Sequence, residues 1–549
     1  MASKPMRLPQ QQGHQVSVVG PPSRGLNTTG DFATMEPTEA VEMDNLIVSD
    51  LGITVRSGWR EYATGFPDPI RTVVPYNSAT LSSQTPPLAA STLFCATDKG
   101  IWNIEGGGNK TGVAANIVLS GGSGAGFLSS TMFTAAGGKQ FLVACSEVDG
   151  AFLYDGLTWK KFTSTGGPGP GIVTGVDPTL FAQVFVYKMR LGFVKRGSSE
   201  VWFLDINQAG GLAKVFDFGP ILRNGGMVVA CANWTNDGGD GIDDRLVVLG
   251  SAGDLAVYEG IDPTDVNSFD MVGVWFIGQP PIGRRSFTTS GGNIYVLTQY
   301  GVVPVAQLMS GGLDTILLAG TDLLAQLRKI QTQLNDDFQT LLNTQGWEVM
   351  NIPGLALLHI ARPSTSVSEH IQYAFQMHAM AWSRLLDVPG VCFAMRLNEV
   401  YAGTTDGRVI RVFTGFSDGQ KLDGTGDYEI RARVTPAFSY FANPAVRKRA
   451  LMIRLQFVAK AFPTYAVRMN SDFELSPIGG TTVGSPNVGS LWDVAKWNQA
   501  IWSGGRAAYG QWRTVRGMGY SLAPSIFLST TQATTLASIE YMTASGGPF

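Results

Sequence analysis

The sequence predicts an all-β fold: a β-propeller with an inserted amphipathic helix, an extended N-terminal arm and a C-terminal β-rich domain. Three observations predict it. A hairpin-like phrase recurs along the chain, glycine is abundant, and a single segment has helical periodicity. The phrase is a short apolar run, a small polar turn closed by glycine, and a second apolar run. It reads Leu93-Phe94-Cys95-Ala96-Thr97-Asp98-Lys99-Gly100 before Ile101-Trp102, and it returns at Leu246 to Gly253, Ile294 to Gly301 and Val400 to Gly407. Looser copies close at Gly150 and Gly197. Glycine supplies the positive φ that tight hairpin turns require. Successive closing glycines stand 50, 47, 56, 48 and 106 residues apart, and a period near fifty fits four-stranded propeller blades best. Glycine makes up 67 of 549 residues, about 12% against a usual ~7%, as a chain with many hairpins requires.

The elements follow in order. Residues 1–30 are rich in Pro, Gln and Gly without a sustained period, so they read as an extended arm. Residues 1–75 comprise that arm and the first strands, among them Ile53-Thr54-Val55-Arg56 ahead of Gly58-Trp59. Residues 76–415 hold the propeller repeats, broken by loops such as Gly166 to Gly171. Within them, Leu323, Leu327, Ile330, Leu334, Phe338 and Leu341 step by three and four. That spacing predicts a helical insert over about 321–343, with Thr321 as N-cap and Gly346 beyond its end. The insert lies in the 106-residue interval, which is therefore one lengthened repeat or two degenerate ones. Strands resume at Ala356 to Ile360 and at Ile371 to Met377, where apolar residues alternate. After a loop from Gly415 to Gly426, residues 427–549 form the C-terminal β-rich domain.

Composition narrows the function classes. Charged residues are 15% of the chain, below the usual ~25%, which suggests a surface covered in part by partners. Residues 1–424 sum to −9 and residues 425–549 to +6. The basic end includes Arg447-Lys448-Arg449, read as a solvated loop or a contact with a protein partner. Cys95, Cys145, Cys231 and Cys392 lack CxxC spacing and sit in apolar strand candidates, so they read as buried hydrophobes suited to a reducing cytoplasm. The first residues carry no apolar signal core, and no run reaches the ~18 apolar residues of a membrane span.

Catalytic groupings are missing. His14, His359, His370 and His378 form neither HExxH nor a His-x-His pair, and they read as structural. Gly121-Gly122-Ser123-Gly124-Ala125 fails the nucleophile-elbow pattern at its last position. Gly106-Gly107-Gly108-Asn109-Lys110-Thr111 fails as a phosphate loop because Gly and Lys do not adjoin and no helix follows. Asp155-Gly156 approaches a sialidase Asp-box but occurs once, with the wrong spacing. Asp237, Asp240, Asp243 and Asp244 make an acidic loop that departs from calcium-loop spacing. The expectation is no enzyme: no catalytic residues, no cofactor and no metal.

Several stretches do carry a likeness. They are Pro21 to Thr28, Met35 to Asn45, Val55-Arg56-Ser57-Gly58-Trp59, Gly253 to Pro263, Gly283-Arg284-Arg285, Gly403 to Val409 and the Trp-rich run Leu491 to Trp502. In this order the chain resembles the tail nozzle or tail tubular proteins of short-tailed (podovirus-type) bacteriophages. One departure is Met377-His378-Ala379-Met380 before Ala381-Trp382, where the family tends to have an Asn/Thr/Gly turn. The resemblance implies a virion structural protein, assembled in the host cytoplasm as a homohexamer around the DNA ejection channel. It implies contacts with the portal or head-to-tail adaptor and with tail fibre, spike or needle proteins, genomic DNA passing without tight binding, and no membrane insertion. The alternative is a carbohydrate-binding, receptor-binding propeller of a phage tail, which would use surface Trp and Tyr residues for sugar stacking.

Overall fold

A computed structural model describes residues 14–81, 89–235, 244–265, 267–309, 322–364, 369–441, 443–475 and 507–545. The chain is all-β, 53% strand against 6% helix. Thr321, the acidic residues Asp237, Asp240 and Asp243, most of the first half of the arm and the run Leu491 to Trp502 lie outside the described residues.

From Thr72 to Val412 the chain forms seven successive antiparallel strand groups, called sheets one to seven below: the first five are separate sheets, and the sixth and seventh are parts of an eight-stranded and a six-stranded sheet. Their first strands are Thr72–Leu81, Leu128–Thr134, Phe181–Tyr187, Val228–Trp234, Phe287–Ser290, Glu348–Ile352 and Gly390–Arg396. Each first strand pairs with the next strand in sequence, as a meander of apolar runs and tight turns dictates. The recurring phrase builds the second and third strands. Thr97 pairs with Gly100, Ser146 with Gly150, Leu249 with Leu255 around Gly253, Thr298 with Gly301, and Gly403 with Val409 around Gly407. Gly150, Gly197, Gly253, Gly301 and Gly407 all have positive φ, at 81°, 65°, 94°, 96° and 74°. A Cβ on Gly150 would stand 2.5 Å from the Pro178 carbonyl oxygen, so space and conformation both exclude other residues there.

The 106-residue interval holds one additional sheet, from Glu348–Ile352 to Ala381–Leu386. Its second and third strands, Leu357–Ala361 and Ile371–Gln376, pair Ala361 with Gln372 across a longer connection. Residues 362–370 between them contain no glycine, which is why the glycine marker misses this repeat. The fifth sheet has three strands. The helical insert covers its last strand, Gly301–Pro304.

The insert comprises helix Asp322–Leu327, a 3-10 turn over Arg328–Ile330 and helix Gln331–Leu341. Leu327, Ile330, Leu334, Phe338 and Leu341 are all buried in one core with Tyr295, Trp347 and Trp382. Trp382 Nε1 donates to the Gln326 carbonyl, and Tyr373 Oη donates to Asp337 Oδ2 at 2.5 Å. The Lys329–Glu39 ion pair ties the insert to the N-terminal segment.

The two ends of the chain build a second unit together. One sheet runs in the order Leu46–Ser49, Gly52–Val55, Thr534–Ser545, Lys448–Ala459, Ala507–Gly519, with His14–Val19 also paired to Thr534–Ser545. Part of the expected arm is therefore a strand on its own chain, held through His14↔Ala544 to Val19↔Ile539. The other sheet runs Ala40–Asp44, Ile430–Pro436, Leu522–Thr530, Thr464–Ser471 and joins the sixth sheet where Asp44 meets Arg384. Ile453, Leu455 and Phe457 of the first sheet share a core with Val434, Ile526 and Leu528 of the second.

Leu327 is 1% exposed and Leu157 is 87% exposed. Leu327→Ala is expected to cost about 2–5 kcal/mol as transfer and cavity terms combine, lowering the denaturant midpoint. Leu157→Ala is expected to leave it within experimental error. Equal midpoints for the two variants would show that the insert does not hold the fold together.

Candidate functional site

The seven first strands surround one cavity of about 710 Å³. Neighbouring first strands touch from the first sheet to the fourth, and from the fifth through the seventh back to the first. Between the fourth and fifth, the sheets share one apolar core, Trp234 Nε1 donates to the Gly292 carbonyl at 2.9 Å, and Arg284 donates to the Val229 carbonyl at 2.5 Å.

Arg284 and Arg285 lie across one end of this cavity, beside Trp347. Arg284 Nε meets Glu147 Oε1 of the second sheet at 2.5 Å. Arg285 Nη1 pairs with Glu348 Oε2 of the sixth sheet at 3.0 Å, while Nη2 donates to the Arg71 carbonyl beside the first sheet at 3.0 Å. The Arg285 and Arg71 guanidiniums lie 5.4 and 5.3 Å from the Phe127 ring centre. Two adjacent arginines thus hold five sheets around the floor of the cavity. Burial pushes the Glu348 carboxyl up from its ordinary range, opposed by Arg285 and by the Phe393 N–H. The pair is poised as a structural tie, because each arginine already faces a carboxylate.

The cavity walls are mixed. Thr131, Thr288, Asn233 and Asn351 alternate with Val186, Phe287 and Met395 around it. Asn233 Oδ1 is buried without a partner. Among the described residues, no group of three His, Cys, Asp or Glu is placed to hold a metal. Cys231 lines the cavity, and burial raises its thiol far above the ordinary value, so it is not a thiolate nucleophile. Burial also raises Cys392, to about 12, and raises Cys95 and Cys145 strongly. All four are free and buried.

The other sequence candidates are scattered. His359 is fully buried, with Nε2 2.8 Å from Gln372 Oε1 and its ring 4.4 Å from that of Phe393. Burial lowers it to about 4, against the opposing Gln372 bond, so it is neutral at pH 7. Asp155 sits in a turn, where burial is outweighed by the Thr158 and Leu157 N–H groups and Lys160, which hold it at about 2. The basic cluster requires correction. Lys448 is 6% exposed and faces neither solvent nor a partner. Its ammonium donates to the carbonyls of Asn443, Val446 (2.8 Å) and Tyr520 (2.9 Å). It opens strand Lys448–Ala459, where strand alternation turns it inward and leaves Arg449 exposed. Sequence reading did not anticipate the roles of Arg284 and Arg285. Their signal was a Gly-Arg-Arg run, whose partners lie up to 214 residues away.

No family model matches the chain, and no curated protein matches it. Among solved structures, it is similar to the BBS1N chain crystallised in complex with ARL6DN and soaked with lead. The identity is 12% over 46% of this chain and 73% of that one, with a TM-score of 0.28. It is also similar to the computationally designed Ika8 protein, at 10% identity over 65% of this chain and 99% of that one, with a TM-score of 0.33. Likeness at this distance carries no argument about fold or function.

Removing Arg285 would leave Glu348 buried and unpaired. Arg285→Ala is expected to lose about 3–5 kcal/mol at pH 7, and Glu348→Gln in the same chain should recover part of it. The deficit relative to wild type should shrink toward pH 5, as the raised carboxyl takes up a proton; a pH-independent deficit would count against the tie. His359 gives a second pH signature. Its folded pKa is depressed, so its contribution is present above about 6.5 and is lost as pH falls through about 4. Full loss is on the order of 3 kcal/mol. The stability difference between wild type and His359→Gln, followed by urea titration from pH 7 to pH 4, should therefore change in this window and nowhere else.

Proposed function

We propose that this chain is a structural subunit of a short-tailed bacteriophage tail. In this reading it is a nozzle or tubular protein that rings the DNA ejection channel and links portal or adaptor to the distal tail parts. The seven sheets are read as blades of one seven-bladed propeller, with Trp59–Thr64 pairing to Val409–Val412 to complete the last blade. Radial repetition of this kind leaves only short, protected edges.

The observation that carries the reading is what the resembling residues do. Arg56 and Asn45 bond each other at a junction, and Arg284 and Arg285 close the cavity floor. Asp262 pairs with Arg190 at 2.7 Å. Arg408 pairs with Asp406 and with Glu61 of the closing strand. These are ties between parts of a scaffold, none of them a reactive group. A protein whose task is to hold shape while other molecules move past it needs such ties.

The cavity bears on where DNA would pass. Its volume of about 710 Å³ is within the range of a single small-molecule site, about 300–1,000 Å³. Two paired arginines also lie across one end. A duplex therefore does not thread a single subunit, and the channel belongs between copies. Affinity for DNA rises with each phosphate neutralised, so the −9 balance of residues 1–424 suits a wall that lets the duplex slide.

Electron microscopy of the purified chain across a concentration series tests the proposal. The expected particles are six-fold rings with a central bore wide enough for duplex DNA. Single seven-bladed discs at every concentration, together with sugar binding on a glycan array, would replace the nozzle reading with the receptor-binding one.

A further inference from the structure

The sheet built from both chain ends buries one face, and among the described residues nothing covers the other. Strand alternation places Val16, Val18, Met452, Trp512, Met518 and Met542 on that open face. Val16 is 53% exposed, Val18 68% and Met518 39%. Among the described residues the paired strands of this face carry one carboxylate, Glu540, which Arg454 already neutralises while lying 5.0 Å from the Trp512 ring centre. Arg449, paired with Met518 and Ala544, and Arg516, in the bulge between the paired residues Thr514 and Gly517, are exposed there. The face is therefore apolar and basic.

It is also large. Strands of twelve or thirteen residues, at about 3.4 Å per residue and about 4.8 Å between strands, give a face of roughly 40 by 20 Å. That is on the order of 800 Å², what one partner contributes to a standard protein–protein interface.

A surface of the opposite character lies on the fourth sheet of the same chain. Its outer strand, Phe269–Phe276, exposes Met271 (52%), Val272 (36%) and Phe276 (43%). Asp270 stands directly opposite Glu259, a like-charge cross-strand pair that costs stability unless a cation answers it. Arg245 answers Glu259 at 3.3 Å, and Asp270 stays exposed. Asp270 and Met271 lie on opposite faces, so the strand is acidic on one side and apolar on the other, and the two meet along the outer edge of the sheet.

We propose that these two surfaces bind each other between copies: the open face of the terminal sheet on one subunit seats the outer strand Phe269–Phe276 of the next. The contact joins two different patches, so it is heterologous and propagates around a ring when the rotation closes. It rests on the reading of the chain as a ring subunit, and it names the surfaces that reading leaves open.

The test uses the full chain and reads particle mass by mass photometry, with a thermal melt to verify folding. Arg449→Glu with Arg516→Glu should melt like wild type and weaken assembly at least tenfold in midpoint concentration. Adding Asp270→Arg should restore most of the loss. Unchanged assembly by the double variant, or no rescue by Asp270→Arg, would overturn the proposed contact while leaving the ring reading intact. A wild-type chain that never assembles would instead sink the ring reading. Binding of a duplex oligonucleotide or of anionic vesicles that the double variant loses, with its assembly unaffected, would overturn the contact and assign the face to that ligand.

Discussion

The structure depends on one buried guanidinium. Arg56 is 2% exposed and uses all five of its N–H donors. Nε donates to Asn45 Oδ1 at 2.9 Å. Nη1 reaches the Ser57 carbonyl at 3.0 Å and Asp418 Oδ1 at 2.8 Å. Nη2 reaches the Leu386 carbonyl at 3.1 Å and Asp418 Oδ2 at 2.7 Å. One side chain therefore joins the N-terminal strands, the end of the sixth sheet and the segment after the seventh. Burial raises the Asp418 carboxyl, with Arg56 opposing. A buried pair of this kind is strongly destabilising to break, because the survivor is left charged and unsolvated.

Its position explains why the seven sheets hold together. Three residues beyond Arg56 begins Trp59–Thr64, the strand that pairs with Val409–Val412. Joining strands so far apart in sequence carries an entropy cost that grows only about 0.6 kcal/mol per doubling of loop length. The join is thus set less by chain length than by how well its two sides are fixed. Arg56 fixes one side to Asp418, whose own strand, Asp418–Gln420, runs parallel to Trp59–Thr64. Arg408 adds a second tie, from the seventh sheet's hairpin to Glu61.

The helical insert plays the corresponding role between the two units. It replaces a fourth strand on the fifth sheet and packs its apolar stripe into the same core that the terminal sheets use. Asp337 accepts from Tyr373 and from Arg362 at 2.5 Å each, which ties the second helix to the sixth sheet. The terminal unit, the insert and the sheets therefore share one continuous packed region, and loosening any of them exposes apolar surface on the other two.

The sequence by itself determined the local structure. Hairpin turns at Gly150, Gly197, Gly253, Gly301 and Gly407 follow from glycine's access to positive φ, Gly100 is needed for space because a Cβ there would stand 2.7 Å from the Ala115 Cβ, and the helix follows from its three-and-four spacing. The buried cysteines were equally legible, since short apolar runs bury what they contain. Only the tertiary structure decided the rest. The repeat between Glu348 and Leu386 was hidden because its second and third strands are joined by the longer, glycine-free stretch 362–370 and find each other only through their pairing. Lys448 turned inward, where two carbonyls of the preceding turn, Asn443 and Val446, and the distant Tyr520 carbonyl converge on it. The N-terminal strands completed sheets begun hundreds of residues later, and Arg56, Arg284 and Arg285 became ties rather than surface charges. Periodicity and turn chemistry act over a few residues, so they can be read along a line. Ion pairs and sheet closure depend on which distant segments meet, and only the packed chain fixes that.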